Sequence, residues 1–330
     1  MQRREFITII GGATVVLTCA TVKDPSKAQT VRRKRLAYLS GGSKSGSPYT
    51  LDILKASLRD LGWRENETID IDERWAEGDN SRLARLASEL VQLHPDVIAT
   101  TGGSEAKALQ FATRDIPIVF HMVADPISNG LVTSISRPGG NTTGFAQGPQ
   151  IVWSKRLSLL TEMLGRQPRN LAWLGNPGNS GSELNWLDAK DAAARVAADL
   201  VRIDVSRAEE LEGAFKGAKG LDGLLVQWDF LLSTLSKEIT QLAALVRIPA
   251  VYENRSPVLA GGLMSYGGDL RENFRLGAAY IDRILKGTRP AELPVVQASR
   301  FELVLNKRAA TALGLIIPDS LLARADEVIE

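Results

Sequence analysis

A few short stretches hold the residues able to do chemistry. TTGGSEAKAL, residues 100–109, sets Thr100, Thr101, Gly102, Gly103 and Ser104 ahead of a segment with helical character. Free N–H groups and the dipole at a helix start favour a negative group, and adjacent glycines let a ligand approach the backbone. The stretch lacks the G-x-G-x-x-G spacing of a dinucleotide loop, and no G-x-x-x-x-G-K-[ST] string occurs in the chain. A ligand carboxylate at Thr101, Gly102 and Ser104 is one reading, and a plain N-cap turn is the other. Asp125, ahead of Pro126, either receives an ammonium or hydroxyl or caps the following turn. Trp228 with Asp229, and Tyr252 with Glu253, pair an aromatic face with an acid, as an amine-bearing ring would require. Trp228 and Tyr252 also fit a role as core aromatics at strand ends. Ser43, Asn179 and Tyr266 complete the candidate binding set.

Catalytic constellations are absent from the pattern. The mature chain has no cysteine nucleophile, because Cys19 is the sole cysteine, and there are two histidines, His94 and His121. His94, before Pro95, and His121, at a strand end, read as scaffold. No G-x-S-x-G elbow occurs. Only paired carboxylates among Asp125, Asp229 and Glu253 keep a cleft hydrolase open. We expect no enzyme, no cofactor and no metal.

The elements that must position these residues begin after a leader. MQRREFITIIGGATVVLTCATVKDPSKA places Arg3 and Arg4 before an apolar run too short to span a bilayer, with a small-x-small site at Ser26–Ala28. We therefore expect residues 1–28 to be an export signal, of twin-arginine or Sec type, with a periplasmic mature chain. Cys19 makes a poor lipid anchor, because Thr18 stands where Gly, Ala or Ser is usual. Removing residues 1–28 from a chain with 40 basic and 38 acidic residues leaves 36 of each. A neutral body lacks the cationic surplus that nucleic-acid binding needs.

From residue 34 onward, apolar runs alternate with amphipathic segments. KRLAYLS, TIDIDERWA, DVIAT and IPIVFH read as strands. The intervening helices include 49–62, with Leu51, Leu54, Leu58 and Leu61 at helical spacing, and 81–93, capped by Asn80 or Ser81. After the Gly- and Pro-rich passage 137–149 the alternation starts again through residue 253, followed by a long helix at 269–287, an extended tail and a short helix at 307–315. The expected fold is α/β: two doubly wound parallel-sheet lobes joined by a multi-crossing hinge. The expected N-terminal lobe is 31–143 plus about 267–297, and the C-terminal lobe 144–266 plus about 298–330.

The strings IPIVFHMVADPISNGLVTSISRPGGNTTGF (116–145), GAAYIDRILKGTRPAELPV (277–295) and FELVLNKRAATALGL (301–315), together with RREFI, resemble the exported ABC-transporter substrate-binding proteins. The likeness is to those of the type I periplasmic binding fold, in particular the subfamily that includes tryptophan- and tyrosine-type binding proteins. It covers essentially the whole mature chain. It implies a monomeric receptor that closes two lobes over a small organic ligand, amino-acid-like or an aromatic acid, and delivers it to a membrane permease and its ATPase. A sensing module that signals through a membrane partner is the rival from another class.

Overall fold

The computed structural model describes residues 32–44, 48–147, 152–298 and 300–330. The expected leader, including Cys19, lies outside them. In chain order the first set of elements is β1 (Lys34–Ser40), α1 (Pro48–Asp60), β2 (Ile69–Trp75), α2 (Leu83–Gln92), β3 (Val97–Thr101), α3 (Gly103–Ala112), β4 (Ile118–Val123) and β5 (Thr142–Ala146). The second set runs α4 (Val152–Leu164), β6 (Asn170–Gly175), α5 (Ser182–Arg195), β7 (Asp199–Asp204), α6 (Leu211–Ala218), β8 (Gly223–Val226), α7 (Phe230–Thr234), α8 (Ser236–Leu245), β9 (Ala250–Tyr252), α9 (Ser256–Leu259) and β10 (Met264–Gly268). The chain ends with α10 (Leu270–Leu285), β11 (Val296–Gln297), β12 (Phe301–Asn306), α11 (Lys307–Leu313), α12 (Asp319–Leu322) and β13 (Glu327–Ile329).

These strands make two sheets. One has the order β11-β5-β4-β3-β1-β2, with every pair parallel. The other has the order β13-β12-β10-β9-β8-β6-β7, parallel except where β10 meets β12. Helix α10 packs on α1, β3, β4 and β5, so the chain returns to the first sheet after β10 and leaves it again after β11. The result is two α/β lobes, each with its parallel strands buried between helices.

Local sequence explains most of this. In α1, Leu51, Leu54 and Leu58 are buried at helical spacing, while the helix stops at Asp60 and leaves Leu61 exposed. Helix α2 buries Leu83, Leu86, Ala87 and Leu90. Its entry differs from expectation: Asp79 is the cap, its carboxylate accepting from Ser81 N at 2.9 Å ahead of a short 3-10 turn, Asn80–Arg82. Strand β5, Thr142–Ala146, lies within the Gly- and Pro-rich passage 137–149, to which the sequence pattern assigns no element. Gly144 is what makes the strand possible, since a Cβ there would sit 2.0 Å from the Phe120 carbonyl oxygen of β4. Beside it the β4–β5 register shifts between Phe120 and Val123, and Met122 takes a left-handed φ of 58°.

Candidate ligand-binding site

Open parallel sheets bind ligands beyond the carboxyl ends of their strands, where the strand order reverses. Here the reversals fall between β1 and β3 in one lobe and between β6 and β8 in the other. Yet the loops at these points meet each other. Ser180 N donates to Ser104 Oγ at 3.2 Å, and Asn80 Nδ2 donates to the Gly178 carbonyl at 2.8 Å, so the lobes are latched together there. The gap left between them, about 20 Å³, is lined by Gly102, Ser104, Asn179 and Asp229 among others. It is too small for an organic ligand.

The larger crevice, about 360 Å³, opens beside this latch, under the ends of β4, β5, β9 and β10. Met122, Ala124–Ile127, Gln147 and Gln297 line it from the first lobe; Trp153, Arg156, Asn185, Asp188, Trp228 and Glu253 line it from the second. Its volume falls within the roughly 300–1,000 Å³ typical of small-molecule sites.

Two helices build the second-lobe wall. On α4, Trp153 and Arg156 are three residues apart and both buried on the helix face that also buries Leu157 and Leu160. The Arg156 guanidinium lies 4.5 Å from the Trp153 ring centroid, donates Nε to the Tyr266 carbonyl at 2.8 Å, and places Nη2 3.3 Å from Glu253 Oε2. Burial pushes the Glu253 carboxyl up, against the opposing pull of Arg156 and of the Trp228 amide. Glu253 Oε1 has no partner among the described residues. On α5, Asn185 accepts from Trp153 Nε1 at 3.0 Å, and Asp188 sits one turn on. Burial, with Asp191 and Asp125 nearby, raises the Asp188 carboxyl to about 6. The crevice thus carries three acids against one guanidinium, beside two indole rings, an arrangement that favours a ligand bearing an ammonium and an aromatic group.

Of the residues singled out by sequence, Asp125, Trp228 and Glu253 line this crevice. Asp125 is occupied as a turn cap: it accepts from the amides of Ile127 and Ser128 at 2.9 and 3.0 Å and from Ser128 Oγ, which together hold its carboxyl low despite partial burial. Asp229 is likewise committed, accepting from Asn176 and Asn179 side chains at 3.0 Å and from the Leu231 amide at 2.8 Å as the cap of α7. Asn179 therefore braces Asp229 at the latch. Four candidates lie elsewhere. Thr101 is buried in the first lobe, its hydroxyl 3.1 Å from Tyr38 Oη. Tyr252 is 1 % exposed within the second lobe's core, packed with Val226, Ile239 and Val258. Tyr266 stacks on Phe301 at 5.6 Å and does not line the crevice, although its carbonyl holds Arg156 there. Ser43 is buried in the loop after β1 and does not line the crevice.

A carboxyl at the start of α3, where the sequence suggests a ligand's, is already present in the chain. The Glu105 carboxyl folds back to its own amide and that of Gly41. A Cβ on Gly41 would fall 2.1 Å from Glu105 Oε1, and one on Gly102, whose φ is 91°, would fall 2.5 Å from Oε2. The glycines cradle a side chain of the protein itself, and Glu105 fills the position that the sequence suggests for a ligand carboxylate.

Sequence reasoning passed over Trp153, Arg156, Asn185, Asp188, Gln147 and Gln297. One signal was available: an arginine on the apolar face of α4, flanked by residues that pack into a core.

A profile of the family described as ABC transporter substrate binding protein matches residues 47–329. A Tyrosine-binding protein from Clostridioides difficile (strain R20291) is 27% identical over 261 residues, 78% of this chain and 74% of the relative. A crystal structure of a conserved domain protein from Vibrio cholerae O1 biovar El Tor superposes with a TM-score of 0.85 at 27% identity, over 90% of this chain and 100% of that one. A domain from Streptococcus pneumoniae in complex with L-Trp gives 0.82 at 24% identity, again over 90% and 100%. Among the described residues no helix is long and apolar enough to cross a membrane.

Proposed function

The chain belongs to the ABC transporter substrate-binding protein family, and from that premise we propose that it is an exported, monomeric receptor for a small amino-acid-like aromatic solute. It captures the solute between the lobes and passes it unaltered to a membrane permease driven by an ATPase. The observation that carries this reading is the crevice of about 360 Å³ lined from both lobes, with Trp153 and Trp228 beside Asp188, Glu253 and Arg156. Aromatic faces suit a ring, and an excess of acids suits an ammonium. The name of the Clostridioides relative supports an aromatic amino acid as the first ligand to try. A ligand that touches both lobes stabilises the closed form by its difference in affinity for the closed and open states.

Binding without turnover is the reading that the site's chemistry favours. Asp125, Asp229 and Glu253, the acids that kept a hydrolase open, are each engaged by donors of their own lobe. The test is a thermal-shift screen of the mature chain against the amino acids and their amine-free analogues. At one hundred times Kd, a true ligand stabilises the native state by about 2.7 kcal/mol. L-tyrosine or L-tryptophan should raise Tm, and the matching amine-free acids should not. Equal shifts from both kinds of compound, or none from any amino acid, would overturn the proposed ligand class.

A further inference from the structure

The latch between the lobes contains a buried acid for which ligand capture has no use. Glu105 is 2 % exposed. Its carboxyl lies in the first lobe between Gly41 and Gly102, and Phe230 of the second lobe lies across the same two glycines: Cβ atoms there would sit 2.7 and 3.5 Å from its ring. Asp229, the residue before Phe230, acts on Glu105 with a second negative charge from the opposite lobe. From its own lobe the titratable group facing Glu105 is Tyr38, on β1. The polar groups that favour its charge are two amides, its own and that of Gly41, and none of the groups acting on it is a cation. A carboxylate in this position is desolvated and repelled at once, and the opposite lobe contributes to both, through the Phe230 ring and the Asp229 charge.

We propose that closure of the lobes takes up one proton on Glu105, which makes the closed, solute-holding form pH-sensitive through a residue outside the solute crevice. This rests on the receptor reading only in that the lobes separate. In the closed form, burial and Asp229 raise the Glu105 carboxyl to about 8. Once Phe230 and Asp229 withdraw, water reaches Glu105 and it returns toward an ordinary glutamate, near 4.3. The sign follows. Below about pH 4 both forms are protonated and Glu105 does not affect closure. Between roughly pH 5 and pH 8 the closed form must bind a proton that the open form lacks, so closure weakens about tenfold per pH unit. Above that range both forms are ionised and the penalty is constant. Alkaline pH thus favours opening and release, and acid favours retention.

The test needs no solute. The ligand-free mature chain is titrated from pH 6 to 9 while two signals are followed: the infrared C=O stretch of protonated carboxyls and the radius of gyration from small-angle scattering. In the wild type a carboxyl band should fade with a midpoint near 8 as the molecule expands. Glu105→Gln, neutral and similar in shape, should lack that band and stay compact throughout. Asp229→Asn, on the other lobe and still able to cap α7, should move the midpoint to lower pH. The proposal is overturned if Glu105→Gln expands with the wild-type midpoint, if the band fades without expansion, or if Asp229→Asn leaves the midpoint unchanged. Each of these results leaves the receptor reading intact, since none involves the solute.

Discussion

Replacing Arg156 with Met should leave Glu253 as an uncompensated charge inside the second lobe, and the size of the effect can be worked out. The paired side chains are 5% and 6% exposed. Breaking such a pair by removing one partner costs about 3–5 kcal/mol. A ceiling on the charge part comes from protonation: neutralising a carboxyl of ordinary pKa, near 4.3, at pH 7 requires about 3.7 kcal/mol, and Glu253 takes that route once remaining charged costs more. Loss of the Arg156 bond to the Tyr266 carbonyl adds about 1 kcal/mol. The expected loss at pH 7 is therefore about 3–5 kcal/mol. Its pH dependence is diagnostic. Burial already raises the Glu253 carboxyl in the wild type, and removing Arg156 raises it further, so the destabilisation comes from the ionised form and shrinks as pH falls. Urea unfolding at pH 5, 6 and 7 should show the deficit falling by up to about 1.4 kcal/mol per pH unit. The double variant Arg156→Met with Glu253→Met should recover most of the loss, because apolar pairs commonly replace buried ion pairs without penalty. A deficit under about 1 kcal/mol at pH 7, or one equal at pH 5 and pH 7, would refute the reasoning.

Asp188→Asn should stabilise the ligand-free protein by about 1 kcal/mol after allowance for solvent screening. Since the Asp188 carboxyl is raised to about 6 in the native state, from an ordinary value near 3.9, that gain should be absent below about pH 4, grow in thermal melts between about pH 4 and 6 and stay level above that; the same variant should weaken binding of an amine ligand about tenfold. Gly102→Ala should lower stability by about 1–3 kcal/mol, since φ is 91° there and the added Cβ meets Glu105; chemical denaturation measures this, and a neutral result would mean that the carboxyl is not nested as described. Trp228→Ala should weaken solute binding at least tenfold with Tm little changed, while Tyr252→Ala should cost about 3–5 kcal/mol of stability through loss of a core aromatic. Calorimetry and melting on both variants separate the two roles, and an exchange of phenotypes would contradict the assignment.

Periodicity made the lobes legible. The Leu51, Leu54, Leu58 face of α1 and the apolar strands after it emerge where the sequence indicates, because each burial pattern is local. Strand β5 was hidden because TTGFA, despite the strand-favouring Thr142, Thr143 and Phe145, sits among glycines and prolines, and its pairing depends on close approach at Gly144, a tertiary fact. The site was legible in part. Trp228, Glu253 and Asp125 follow from counting strand ends, whereas Tyr252 and Thr101 fail because successive strand residues face opposite sides and the inward side is core. Arg156 and Asp188 do not follow from strand ends, because that part of the crevice wall comes from helices α4 and α5. The glycines at 102 and 103 mark close approaches, but the groups approaching them are side chains of the protein, the Glu105 carboxyl at Gly102 and the Ser180 hydroxyl at Gly103.

Isothermal titration of the mature wild-type chain with L-tyrosine and L-tryptophan, with the solute recovered afterwards for mass analysis, tests the central claim most directly. The account predicts binding of at least one of them at one molecule per chain, recovery of that solute unchanged, and loss of most of the affinity in Trp228→Ala. Binding that survives intact in both Trp228→Ala and Asp188→Asn, or a solute recovered chemically altered, would contradict it.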